Sequence, residues 1–181
     1  MGDVQPRIPW QSAHQPDSRP RAHPDDDVRL SAELAAVVSG ARRRAVRDGD
    51  RQIDTAHLLH SLLESDPEVR SVFDGEPRLA RLMGYLVQRS IGYGLRWQGS
   101  VEDSGAIPVV IRAEGYSPLA GGAMEYARAR AGRRGGPALG VDLLAAILVD
   151  PQARAVEVLE RAGIDAHVVF VRVDSRLRRT G

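Results

Sequence analysis

The strongest constraint on this chain is that part of it is written twice. One constant shift lays Leu58-Leu59 on Leu143-Leu144 and Leu62-Leu63 on Ile147-Leu148. A shift one residue longer lays Leu30-Ser31 on Tyr116-Ser117, Ala41 on Ala127 and Ala45 on Ala131. The difference falls in a Gly-rich loop, where a deletion is absorbed at small entropic cost. A duplication of this kind fixes architecture before any single motif does. The copies run over residues 30–90 and 116–178, and each reads as four amphipathic helices. The expected fold is all-α: two pseudo-symmetric four-helix repeats forming one eight-helix domain over residues 29–181. Residues 91–115 link the copies.

In the first copy Ser31 is the expected cap of a helix with Leu34, Val37, Val38, Ala41 and Ala45 on one face. Arg42, Arg43, Arg44 and Arg47 lie toward its C-terminal end, where the macrodipole favours cations, and Asp48-Gly49-Asp50 stops it. Asp54 or Thr55 caps a second helix carrying Leu58, Leu59, Leu62 and Leu63. Asp66-Pro67 opens a short third, with Val69, Val72 and Phe73 inward. Glu76-Pro77 opens a fourth, with Leu79, Leu82, Met83, Leu86 and Val87 buried. In the second copy Ser117-Pro118 opens the first helix, with Leu119, Ala123, Tyr126, Ala127 and Arg130 on one face. Leu143, Leu144, Ile147 and Leu148 mark the second, and Asp150-Pro151 opens the third, closed by Gly163. Asp165 caps the last. There Val168-Val169-Phe170-Val171 has strand propensity, but Ile164, Val168, Val169, Val173 and Leu177 share a helical face, and helix is expected. The linker contains Trp97 and Ile107-Pro108-Val109-Val110-Ile111; Pro108 argues against a central strand.

Composition narrows the function. Apolar residues are 43% of the 181 and aromatics 4%, so the core is built of Leu, Val, Ile and Ala. Cysteine is absent, which excludes a disulfide scaffold, a thiolate metal site and a cysteine nucleophile. All 25 basic residues are arginine. A phosphate-binding P-loop needs its lysine, so the sequence carries no standard nucleotide-hydrolysing module, and lysine Schiff-base chemistry is excluded as well. A net charge of +1 gives nucleic-acid binding no global electrostatic support. The arginine clusters Arg42-Arg43-Arg44 and Arg128 to Arg134 read as solvated helix ends rather than a DNA-binding surface. Residues 1–28, rich in proline and charge with an isolated Trp10, cannot bury enough surface to offset their ordering entropy, and a disordered tail is expected. With neither a membrane-spanning run nor an apolar signal-peptide core, a cytoplasmic location is expected.

Each copy resembles one unit of the amino-terminal double Clp repeat domain of Clp ATPases, most closely the ClpC type of actinobacteria. Repeats of that family open on Phe-Thr or similar and carry Ile-Gly-Thr-Glu-His-hydrophobic-Leu-Leu on the second helix. Here the openings are Leu30-Ser31 and Tyr116-Ser117-Pro118, and the signature reads Ile53-Asp54-Thr55-Ala56-His57-Leu58-Leu59. The stretch from Ala155 to Asp165 resembles the end of a family repeat. The resemblance runs from about Leu30 to Leu177. It implies a domain that receives peptides, substrates or adaptors ahead of AAA+ modules, here as a free-standing Clp-repeat protein without the motor.

The resemblance also implies sites. Some ClpC domains bind phosphoarginine through the signature glutamate, a carboxylate pairing with a guanidinium. That position is Ala56 in the first copy and Val141, or Asp142 under another gap placement, in the second. Losing a charged hydrogen bond costs about 1.5–3 kcal/mol, so phosphoarginine binding is expected to be weak or absent, with Thr55 left as a cap. Cyclic peptide antibiotics bind ClpC relatives between the first helices of the two repeats. The matching positions are Leu30, Val38, Ala41 and Arg42, with Tyr116, Gly121, Met124 and Glu125; the alternative is ordinary inter-repeat core. His57 and His60, three apart on a helix, could share a metal, but no third ligand is evident and none is expected. No cofactor and no catalytic constellation are expected. The implied function is a non-catalytic binding protein that recognises peptides, adaptors or substrates of the ClpC-ClpP protease, with ClpC as a partner. The alternative is a decoy that sequesters Clp-directed cyclic peptide antibiotics.

Overall fold

The computed structural model describes residues 28–90, 101–102 and 115–179. The expected tail up to residue 27, with Trp10, and the linker residues Trp97 and 107–111 lie outside the described residues. Among the described residues eight helices follow in two sets of four: α1 (Ala32–Asp48), α2 (Thr55–Ser65), α3 (Pro67–Val72) and α4 (Leu79–Ser90), then α5 (Pro118–Arg134), α6 (Gly140–Val149), α7 (Arg154–Ala162) and α8 (Ala166–Leu177). None of these helices is long and apolar enough to cross a membrane.

The two copies begin and end their first helix by the same means. Ser31 Oγ accepts the Leu34 N–H at 3.1 Å, and Ser117 Oγ accepts that of Ala120 at 3.2 Å. Gly49 and Gly135 close the helices at φ 74° and 77°, a left-handed conformation that costs any other residue strain. Asp54, not Thr55, caps α2. Its Oδ1 accepts the His57 N–H at 2.9 Å, and its own N–H donates to His57 Nδ1 at 3.2 Å, a reciprocal capping box.

α8 is helical, with Val169, Val173 and Leu177 buried. Other expectations are corrected. α4 starts at Leu79 rather than at Glu76-Pro77, and Val87 is half-exposed: among the described side chains of this helix Leu82 and Leu86 are buried, with Leu79 and Met83 partly buried at their flanks. α7 starts at Arg154 rather than at Asp150-Pro151. Asp150 instead holds a turn, its Oδ1 accepting the Gln152 N–H at 2.8 Å and its carbonyl the Ala153 N–H at 3.1 Å. Tyr126 is exposed, and α5 turns Ala120, Gly121, Met124 and Ala131 inward instead.

Within each repeat the first helix packs on the second: α1 on α2 and α5 on α6. Between repeats α4 and α2 meet α7, and α3 meets α6. One core results, centred on Leu58, Leu59 and Leu62 with Leu143, Leu144 and Ile147. Truncating such a leucine to alanine costs about 2–5 kcal/mol. Backbone bonds close the seam with two-fold regularity. Leu30 bridges Ala138: the Ser31 N–H donates to Ala138 O at 2.9 Å and the Ala138 N–H to Arg29 O at 2.8 Å. Tyr116 bridges Ile53: the Ser117 N–H donates to Ile53 O at 2.8 Å and the Ile53 N–H to Gly115 O at 2.7 Å. Each repeat's opening residue is thus paired with the residues ahead of the other repeat's second helix.

Candidate functional site

Three features of the seam and its neighbourhood bear on function. The first is a polar cluster around Glu102, which is 4% exposed. Its carboxylate accepts from the Thr55 N–H at 2.9 Å, the Arg154 N–H at 2.8 Å, the Ser117 hydroxyl at 2.7 Å and the Thr55 hydroxyl. Thr55 Oγ1 in turn accepts the Ala155 N–H at 3.1 Å. One carboxylate therefore covers the positive ends of α2 and α7. Beside it the buried Arg154 guanidinium donates to Asp54 Oδ2 at 2.7 Å, a charged bond between the repeats. Thr55, expected as a cap, is consumed here. Ala56 and Val141 are buried and apolar. Asp142, fully buried, accepts two 2.8 Å bonds from Arg134 and the Leu139 N–H at 2.9 Å, and its hydrogen bond to Arg134 raises that guanidinium's pKa. Asp142 thus bonds back to the residue ahead of α6 as His57 does ahead of α2, which aligns it with His57 and leaves Val141 opposite Ala56.

The second feature is the face expected between α1 and α5. Leu30, Val38 and Tyr116 are half-buried against the core. Burial raises the Tyr116 phenol pKa, and the charges of Arg42 and Arg128 act against that rise, so Tyr116 of one repeat lies in the field of Arg42 of the other. Ala41, Gly121 and Met124 are buried, Glu125 is half-buried and Arg42 exposed. α1 and α5 do not pack on each other. Of the eight positions, five retain surface.

The third feature has no counterpart in the sequence reading: an apolar trough in the second repeat. A cavity of about 760 Å³ is lined by Leu148, Val156, Ile164 and Phe170, with Glu160 and His167 also on its wall. A smaller one of about 320 Å³ is lined by Leu119, Ala123, Tyr126 and Ile147. Val149 and Pro151 line both. Val149 is 53% exposed and Tyr126 41% exposed. The signal in the sequence was Val149, an apolar residue just beyond the duplicated leucine pattern.

The overall fold has known counterparts. The Hsp104 N-terminal domain from Candida albicans matches 80% of this chain and 89% of its own, with TM-score 0.60 and 11% identity. The N-terminal domain of the caseinolytic protease associated chaperone ClpD from Arabidopsis thaliana matches 83% of this chain and 95% of its own, with TM-score 0.59 and 15% identity. The chain has the fold of Clp and Hsp104 N-terminal domains. No family model matches the sequence, and no curated protein does either.

Proposed function

We propose that this chain is a non-catalytic peptide-binding module of the Clp type, which takes apolar segments of unfolded clients or adaptors of a ClpC-ClpP protease into the trough beside α6. The observation that carries this reading is the pair of adjacent, mainly apolar cavities that share Val149 and Pro151 in their linings on a Clp N-terminal domain fold. Extended apolar chain gains about 25 cal/mol for each Å² it buries there, and Glu160 and His167 supply polar edges for its backbone. The experiment is a fluorescence-anisotropy titration of the full chain against labelled, permanently unfolded casein. Micromolar binding is expected, weakened at least about tenfold by Val149→Asp with the melting midpoint unchanged, a loss of about 1.4 kcal/mol. Binding that ignores Val149→Asp, or no binding to a folded sample, rejects the trough. Calorimetry with a Clp-directed cyclic peptide such as cyclomarin tests the sequestration alternative. Submicromolar one-to-one binding lost on Tyr116→Ala would move the site to the half-buried surface of Leu30, Val38 and Tyr116.

A further inference from the structure

The corner between α1 and α2 holds three side chains that the peptide-binding reading does not use. His57 is 2% exposed, and its Nε2 makes no hydrogen bond. That nitrogen points between two carboxylates, 3.4 Å from Asp48 Oδ2 and 3.3 Å from Asp50 Oδ2. One ligand atom from each of the three residues lies within 4.8 Å of the others. Two ligands held about 2.0–2.1 Å from a common zinc ion at tetrahedral angles stand roughly 3.3–3.4 Å apart, so the nitrogen–oxygen separations match the spacing that a shared ion requires. On the far side of the ring Nδ1 lies 3.0 Å from Asp54 Oδ1; an ion on Nε2 moves the ring proton to Nδ1, which then donates to the Asp54 carboxylate, itself held by Arg154, in place of accepting the Asp54 N–H.

The pseudo-symmetric corner gives an independent reason. There Gly135 stands where Gly49 does, Arg134 replaces Asp48, and Asp142 replaces His57. The Arg134 guanidinium grips Asp142 at 2.8 Å through both nitrogens, so the second repeat supplies a cation from its own chain. The first repeat places two carboxylates at the negative end of α1 around a buried imidazole, with Arg47 Nε 3.6 Å from the Asp48 oxygen that faces away from the ring.

We infer that Asp48, Asp50 and His57 form a site for a divalent cation, zinc before magnesium or calcium because imidazole is one of three ligands. The ion clips the end of α1 to the start of α2, and Asp50, the most exposed of the three, opens its remaining position to solvent. His60, three residues on, is not in the cluster.

The test is calorimetric titration of zinc chloride into the untagged, chelator-treated full chain, with cobalt(II) absorption reporting geometry. One-to-one binding is expected, with a tetrahedral cobalt spectrum and a raised melting midpoint. Asp50→Asn should weaken zinc at least tenfold in protein that remains folded and helical without metal, and Asp48→Asn/Asp50→Asn should abolish binding. The inference is overturned by no saturable zinc binding to folded protein. It is equally overturned by binding that survives the double substitution, which would place the metal on other histidines, or by a preference for magnesium or calcium.

Discussion

The two helix corners show how a duplicated backbone carries opposite electrostatics. In the first repeat the end of α1 is acidic and the facing residue of α2 is a histidine; in the second the end of α5 is a guanidinium and the facing residue of α6 a carboxylate. The serine caps ahead of α1 and α5, the glycines that close them and the helix order are the same. What the chain preserves is a polar tie between consecutive helices, and the sign of each partner is free. Each tie leaves its repeat with a different vulnerability.

The largest contrast is expected from Arg134→Ala. Asp142 would stay fully buried with its two charged bonds gone, keeping only the Leu139 N–H and the Arg130 guanidinium at 3.7 Å, at a cost of about 3 kcal/mol by urea unfolding. Asp48→Asn in metal-free protein should cost about 1 kcal/mol, because it relieves the crowding with Asp50 and gives up only a long, half-exposed ion pair with Arg47. Equal losses would mean that the two corners are held alike. Glu102→Gln sharpens the comparison at the seam. It places an amide donor among four donors and should cost about 2–3 kcal/mol, read from the same unfolding curves.

Gly140 and Thr55 occupy matching helix starts, yet only glycine fits the second. A methyl group on Gly140 would overlap the Asp66 carboxylate and come within 3.1 Å of Leu62 Cδ2. Gly140→Ala should therefore lose about 1–3 kcal/mol.

The acid response should belong to the first repeat. His60 is buried, and desolvation, aided by the Arg44 charge, lowers its pKa from 6.5 to about 4. Between these values the unfolded chain holds a proton that the folded chain does not, so stability falls as pH drops from 6.5 toward 4 and is unaffected by this group above 6.5. The drop is on the order of 2–3 kcal/mol. His60→Ala, which installs the residue found at the matching Ala145, should flatten that part of the stability–pH curve whatever it does to the plateau.

Much of the fold was legible. Leucines repeated at one spacing, serine caps ahead of α1 and α5, and glycines after them state helices and their pairing without further information. The misplaced starts of α4 and α7 share a cause: in both, an acidic residue followed by proline reads as a helix opening, but here it forms a turn first. Val87 and Tyr126 fit the helical period yet lie past the edge of the contact, because periodicity gives a face and not its width. The site was less legible. Glu102 meets Thr55 and Arg154 from 47 and 52 residues away, and no local pattern links them. Asp48 and Asp50 read as a helix stop; their second meaning depends on His57 facing them across a turn.

The exchanged bridges at the seam have a consequence for assembly. A single repeat on its own would expose the Ser31 N–H and the Arg29 carbonyl at its entry, and the Ile53 amide and carbonyl ahead of its second helix, all lacking the other half. A second copy of the same polypeptide would supply every missing group by rotation. The molecule is thus built as a pseudo-two-fold pair of repeats tethered into one chain, and severing the tether should leave two pieces that recognise each other and re-form the native seam.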